Sequence, residues 1–193
     1  SYKSMKTTKP ETSLTRELSA KYDFSKNFFI ESTAYRGSVS DVLNRGTSTN
    51  AYNEIIDIKQ EGLENSIVFK NQNQRISLSS TLSKSREDDG DPQLRRPEKQ
   101  FGIKYFKKFR TNILGDFDLN YDYRHVGKVE DWKHGSFRAQ VDSSDIMNLS
   151  ISKDFYGSKW SLNILNLTDE AYQRPDTYNQ ERRRIGLSFR NKY

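Results

Sequence analysis

His125 and His134 are the only two histidines in the chain. A zinc site draws three or four ligands from Cys, His and carboxylate, and this chain has no Cys. The two histidines fall at a strand end and in a loop, so no metal role is assigned. Glu87-Asp88-Asp89-Gly90-Asp91 brings oxygen ligands to the close spacing that suits Ca²⁺. It lacks the full EF-hand pattern with its terminal Glu and reads as a solvated loop. Asp116, Asp118 and Asp122 share a parity, as the paired carboxylates of a glycosidase would. Their strict period of two fits the lining of a polar face better. Lys104-Tyr105-Phe106-Lys107-Lys108-Phe109-Arg110 interleaves cations with aromatic rings, as nucleic-acid binders do. It ends at a short turn, which suits an interfacial aromatic girdle with flanking cations, and no nucleic-acid partner is assigned. Gly-x-Ser-x-Gly, a P-loop and a dinucleotide fingerprint are absent. No catalytic, cofactor-binding or metal residue follows from the sequence. The ligand-binding residues are not specified by it either, and the chain does not read as an enzyme.

What the residues do specify is a set of elements. Ile185, Leu187, Phe189 and Tyr193 hold one parity, and Arg184, Gly186, Ser188, Arg190 and Lys192 hold the other. Strand side chains alternate between two faces, so one face is apolar and the other polar. The pattern is cleanest at Ile113, Phe117, Leu119, Tyr121 and Tyr123, set against Asp116, Asp118, Asn120, Asp122 and Arg124. Similar alternation holds Leu14, Leu18, Ala20 and Tyr22; Phe28, Ile30 and Ala34; Leu63, Ile67 and Phe69; Ile76, Leu78 and Leu82. It returns in Phe101, Ile103 and Tyr105; Met147, Leu149, Ile151 and Phe155; and Trp160, Leu162 and Ile164. That predicts about nine strands. Short turns are expected at Asp23–Asn27, Asn71–Gln74, near Phe109–Asn112 and at Tyr156–Lys159. Long loops are expected at Ser40–Asn53, Arg86–Arg96, Gly127–Asp142 and Asp169–Glu181.

Composition fits a membrane wall better than a soluble core. Hydrophobic residues make up 33% and mean hydropathy is −0.96, which in a soluble chain would verge on disorder. Yet there are 11 Tyr and 11 Phe, and the apolar residues recur at period two. A barrel with a polar lumen needs only one apolar face per strand. No apolar run is long enough for a spanning helix. The net charge of +6 is read as basic loops near anionic lipid head groups. Aromatic residues cluster at both strand ends, which predicts two girdles. Tyr22, Phe24, Phe28, Phe29, Phe69, Phe106, Phe109, Phe155, Tyr156, Trp160 and Tyr193 fall near the short turns. Tyr35, Tyr52, Tyr123, Trp132, Phe137, Tyr172 and Tyr178 fall at or beyond the long-loop ends.

Several segments resemble one family in order. Lys9-Pro10-Glu11 resembles a strand opening. Tyr35-Arg36-Gly37-Ser38-Val39-Ser40-Asp41-Val42 resembles a Tyr-Arg-x-x-Val-x-Asp stretch, and Gly62-Leu63-Glu64 a Gly-x-Glu. Leu94-Arg95-Arg96-Pro97 resembles an Arg-Arg-Pro/Ala loop element. Asn166-Leu167-Thr168-Asp169-Glu170-Ala171-Tyr172 resembles an Asn-Leu-Phe-Asp-x-x-Tyr. Arg182–Arg184 resembles a Gly-Arg element without its Gly, and Asn191 stands where an apolar residue is common. Together they resemble the C-terminal part of a TonB-dependent outer-membrane receptor of the cobalamin or siderophore type. The resemblance implies an all-β, antiparallel transmembrane barrel of 22 strands, of which residues 1–193 would supply the last nine or so. It also implies a plug domain and earlier barrel strands outside this chain.

The resemblance further implies a location in the bacterial outer membrane and energy-coupled uptake of a scarce solute into the periplasm. A small-molecule ligand would bind at the extracellular loops, and outer-membrane lipid would surround the wall. A TonB-type periplasmic protein would act through the plug, and the barrel-assembly machinery would read the closing strand that ends on Tyr193. No cofactor is implied. The alternatives are a smaller autonomous barrel, porin or lipid enzyme, and a soluble β-sandwich binding module.

Overall fold

A computed structural model describes residues 9–44, 54–112, 115–133 and 137–191. Alternation of apolar and polar side chains gives eleven strands and no helix among the described residues. They are β1 (Thr12–Ser25), β2 (Phe28–Asn44), β3 (Glu54–Lys70), β4 (Gln74–Glu87), β5 (Lys99–Phe109) and β6 (Phe117–Val126). β7 (Val129–Lys133), β8 (Phe137–Val141), β9 (Ser144–Phe155), β10 (Ser158–Leu165) and β11 (Arg184–Asn191) follow. Nine form one antiparallel sheet in the order β1-β2-β3-β4-β5-β6-β9-β10-β11, and β7-β8 is a separate hairpin. Among the described residues β1 pairs only with β2 and β11 only with β10, so the wall is open. A second large sheet packed on the first, as a β-sandwich needs, is absent among the described residues.

Local chemistry sets the short turns. The Asn71 Oδ1 accepts the backbone N–H groups of Asn73 (2.9 Å) and Gln74 (3.0 Å), an Asx turn. Tyr156 and Gly157 both take positive φ (47° and 74°), the type I′ geometry that matches the strand twist. The third turn is wider than expected. β5 ends at Phe109 and β6 begins at Phe117, so Asp116 precedes the strand instead of sharing its polar face. Ile113 lies outside the described residues, as do Tyr52, His134 and Tyr193.

Register makes each face continuous. One apolar row runs Phe69, Ile76, Tyr105, Tyr121, Leu149, Ile164, Ile185. It starts beside a short turn on β3, yet at Ile185 it is four residues short of Phe189, the aromatic facing Trp160 near the same end of the wall. A row perpendicular to the strands therefore climbs relative to the strand ends, which is the stagger of a tilted barrel wall. Among the described residues the apolar face has no protein partner: on the interior strands Leu82 (48%), Leu162 (39%) and Leu63 (38%) remain exposed. The small buried core, Ile56, Ile58, Val68, Val129, Val141 and Ile146, lies off that face.

The short-turn girdle is built from ring contacts. Phe24 stacks on Phe28 at 4.8 Å, Phe109 on Phe117 at 4.8 Å and Trp160 on Phe189 at 5.5 Å. Two expected members belong to the other face. Phe29 lies under the Lys21 ammonium at 4.7 Å, and Phe106 falls in the polar row Arg75, Phe106, Asn120, Ser150, Asn163. The opposite girdle is sparser than expected. Tyr35 turns to the polar side, where its ring covers Gly62: a Cβ built there would lie 2.6 Å from the Tyr35 Cζ. Trp132 packs under the Arg138 guanidinium in the hairpin. Tyr123, in edge contact with Phe101, remains on the apolar face.

Candidate functional site

The long connections gather at one end of the wall and are fastened to one another. The segment expected as a loop over Gly127–Asp142 contains the β7-β8 hairpin, whose registered pairs run from Val129↔Val141 to Lys133↔Phe137. Its Asp131 is fully buried. The Asp131 carboxylate accepts hydrogen bonds from the Arg95 Nε (2.8 Å), the Trp132 backbone N–H (2.8 Å) and the Asp176 backbone N–H (2.8 Å). One carboxylate thus holds three connections: β4-β5, the hairpin, and β10-β11. Burial pushes its pKa up, but the Asp176 amide, the Arg95 guanidinium and the Trp132 amide outweigh it and hold it below the usual carboxylate range.

A second clamp uses Arg138. Its guanidinium donates to Glu87 Oε2 at 2.8 Å and to the Pro92 carbonyl, and lies 3.2 Å from Asp91. Of Glu87–Asp91, Glu87 is buried at the end of β4, while Asp88, Asp89, Gly90 and Asp91 remain exposed as a solvated loop. Arg138 neutralises two of its carboxylates, and a cation would have to displace it. No group of three metal-ligating side chains occurs among the described residues.

The Asn166–Tyr172 segment fastens the third connection at both ends. Asn166 is buried with positive φ (50°), and its side-chain amide donates to the carbonyls of Glu170 (2.9 Å) and Glu181 (3.2 Å). Its Oδ1 accepts the Glu170 backbone N–H at 2.9 Å. Asp169 takes the Arg182 guanidinium on both oxygens (3.1 and 2.9 Å) and the Arg183 N–H at 2.9 Å. The Arg182 side-chain bonds first, then the Arg183 amide, hold the Asp169 carboxyl well below the usual range. The Asn, Asp and Arg positions that looked like a family motif are therefore loop staples.

Between these fastened loops lies a cavity of about 610 Å³, lined among others by Gln140, Asp142, Tyr172, Gln173, Asn179 and Arg182. Its size suits a small molecule, and its lining offers amide, carboxylate, phenol and guanidinium groups. Sequence alternation could not find it, because its walls come from two connections that only the fold brings together. Below it the polar face carries Lys104, Asn120, Asp122, Asn148, Ser150 and Asn163 along a groove of about 500 Å³. Asp118 and Asp122 line the polar face, as their period of two implies. Asp118 bonds the Lys159 ammonium (3.0 Å), and Asp122 faces Asn148. The basic-aromatic run is split. Lys104 and Lys108 share the polar face, while Lys107 lies over Phe109 at 4.7 Å, so no continuous cationic strip forms. Of the expected mouth, Ser40–Asn53 begins as the end of β2, and residues 45–53 lie outside the described residues.

A family model described as TonB dependent receptor-like, beta-barrel matches residues 5–167. Among solved structures, the ferripyoverdine receptor of the outer membrane of Pseudomonas aeruginosa, bound to ferripyoverdine, superposes with a TM-score of 0.78 at 14% identity, over 95% of this chain and 27% of that one. The FrpB iron transporter from Neisseria meningitidis gives 0.71 at 12%, over 95% and 31%. The ferric-catecholate import receptor Fiu from E. coli K12 gives 0.70 at 17%, over 94% and 27%. No curated protein matches. At these identities the structures show the fold, and the chain spans less than a third of each.

Proposed function

This chain belongs to the TonB dependent receptor-like β-barrel family of the bacterial outer membrane, and on that footing we propose that it forms part of the wall and extracellular mouth of a receptor taking up a scarce solute. Residues 1–193 are the C-terminal portion of a larger barrel. Further strands and a plug domain come from sequence outside them, and the plug carries the contact to a TonB-type energy-transducing partner. The solute is a metal-chelating siderophore or a molecule of similar size and polarity, such as a cobalamin. The wall makes and breaks no bond of it.

The observation that carries this reading is the cavity lined by Gln140, Tyr172 and Asn179, held between loops stapled by Asp131, Asn166 and Asp169. Loops fastened before the ligand arrives lose little entropy on binding, which suits capture of a dilute solute. The polar face beneath it, with Lys104 and Asp122, offers hydrogen-bonding groups along the route inward. Siderophore-bound relatives support the ligand class by analogy. The test is solute binding to the full-length receptor carrying Gln140→Ala and Tyr172→Ala. A loss of about tenfold in affinity, or ~1.4 kcal/mol, is expected. Unchanged affinity in the double variant would overturn this placement of the ligand.

A further inference from the structure

Three neighbouring short turns form one continuous rim. The Lys70 backbone N–H donates to the Asn27 carbonyl at 2.8 Å and joins the β1-β2 turn to the β3-β4 turn. The Lys108 backbone N–H donates to the Asn73 carbonyl at 2.7 Å and joins the β3-β4 turn to the β5-β6 turn. Residues 24–28, 70–75 and 108–117 carry five cations, Lys26, Lys70, Arg75, Lys108 and Arg110, against one carboxylate, Asp116. All five cations are exposed. None of them forms an ion pair with a described residue. The strand-end carboxylates nearby are already taken, Asp23 by Lys21 at 3.3 Å and Asp118 by Lys159 at 3.0 Å. The rim therefore holds a surplus of positive charge with no answer within the described wall.

Amides accompany the charge. A cleft of about 610 Å³ between the first two turns is lined by Asn27, Asn71, Gln72, Asn73 and Gln74. The Asn71 Oδ1 is engaged by its own turn. The side-chain amides of Asn27, Gln72, Asn73 and Gln74 bond no described residue. Each offers a donor and an acceptor side by side, which suits hydroxyl and acetamido groups. A phosphate offers acceptors only and would leave the amide carbonyls without a donor. The level of the rim also argues against a lipid head group. The stacked rings Phe24–Phe28 and Phe109–Phe117 mark the interface, and Asn27, the Asn71–Asn73 tip and Arg110 lie past such rings, on the aqueous side. Successive turns are two strand spacings, or ~10 Å, apart, so the charge recurs at that interval along the rim.

We propose that this short-turn rim binds an N-acetylated glycan that carries carboxylate-bearing peptides, the chemistry of the cell-wall polymer beneath an outer membrane. Lys26, Lys70, Lys108 and Arg110 take carboxylates of the peptides. The free amides of Asn27, Gln72 and Asn73 take hydroxyl and acetamido groups of the sugars. Each exposed contact is weak by itself, but a repeating polymer engages several at once, and linked contacts add up to avidity. Such binding tethers the receptor wall to the layer below it. The inference rests on the orientation of the proposed receptor, short turns inward, and goes beyond solute uptake, which uses residues at the opposite end.

The experiment sediments the full-length receptor, in detergent, with purified cell-wall sacculi, and releases it with soluble wall fragments, polyglutamate or short-chain phosphatidylglycerol. Wild type should sediment with sacculi, and high salt should weaken the binding about fivefold. K26Q/K70Q/K108Q should lose about fivefold of the low-salt binding, while R96Q, at the opposite end of the wall, should keep it. Q72A/N73A should weaken the binding that persists in high salt, where amide contacts remain. Heat-modifiable gel mobility reports folding, and K26Q/K108Q replaces the triple variant if that one fails to fold. Equal sedimentation of wild type and the cation variant overturns the site. Unchanged high-salt binding by Q72A/N73A, or release by polyglutamate as readily as by wall fragments, overturns the glycan assignment. Release by phosphatidylglycerol as readily as by wall fragments makes the rim a lipid-binding surface and overturns it too. Solute affinity on the same preparations separates this result from the solute reading, because either can fail alone.

Discussion

Single residues on this wall matter where they fasten backbone or where backbones come close. Asp131 is the clearest case, because its carboxylate satisfies two backbone amides and a guanidinium from three connections. Asp131→Ala leaves those donors unpaired, at about 1–3 kcal/mol of loop-opening free energy. Hydrogen exchange at the Asp176 amide of the full-length receptor should accelerate accordingly. The same carboxyl is held below its usual pKa, so its contribution is fully present above roughly pH 3.9 and is lost as pH falls through the lower folded value. Loop protection that is flat from pH 8 to 5 and fails in stronger acid is expected; loss already near pH 6 would point to another group. Gly62 makes the second residue-scale prediction. An added Cβ would meet the Tyr35 ring at 2.6 Å and the Leu82 carbonyl at 2.8 Å. Gly62→Ala should cost about 1–3 kcal/mol of stability by overpacking. Tyr35→Ala should rescue it only in part, since the backbone contact remains, and full rescue would show that the ring alone sets the limit.

Along one element, the faces assign opposite costs to neighbouring positions. On β6, Leu119 pairs in register with Lys107 and Ile151 on the apolar face, whereas Asn120 pairs with Phe106 and Ser150 on the polar one. Leu119 lies two residues inside the girdle ring Phe117, so Leu119→Arg in the full-length receptor should cost about 1–2 kcal/mol, between the interface and midplane values. Asn120→Arg should be mild. Denaturant unfolding from lipid vesicles measures both, and equal costs would contradict the face assignment. Alternation made this much legible in sequence, because a period of two in Phe117, Leu119, Tyr121 and Tyr123 admits one geometry. It was less informative where an aromatic residue fell on the polar face. Phe29, Tyr35 and Phe106 raised the aromatic density at the strand ends without joining a girdle, because density along the chain does not record parity.

For the whole molecule, the open sheet is the governing fact. Among the described residues β1 and β11 each present an unpaired edge, and the exposed apolar face includes Leu14, Leu18, Ile185 and Leu187. Both features invite association. The 193-residue chain expressed alone should therefore aggregate without detergent. Size-exclusion chromatography of detergent-free material tests this, and a monodisperse monomer with a cooperative melt would sink the membrane-wall reading.

Sequence alone determined the strand count of the wall, the polarity of its two faces and the ends at which short and long connections fall. Those properties are local, written in period-two alternation and in turn residues such as Asn71 and Gly157. Tertiary structure decided how distant loops meet. The hairpin within 127–142, the burial of Asp131, the capture of Glu87 by Arg138 and the cavity between Gln140 and Tyr172 depend on register and stagger across the sheet. So does the joining of Lys26, Lys70 and Lys108 into one rim, since cross-strand neighbours are fixed by hydrogen-bond pairing that no single strand encodes.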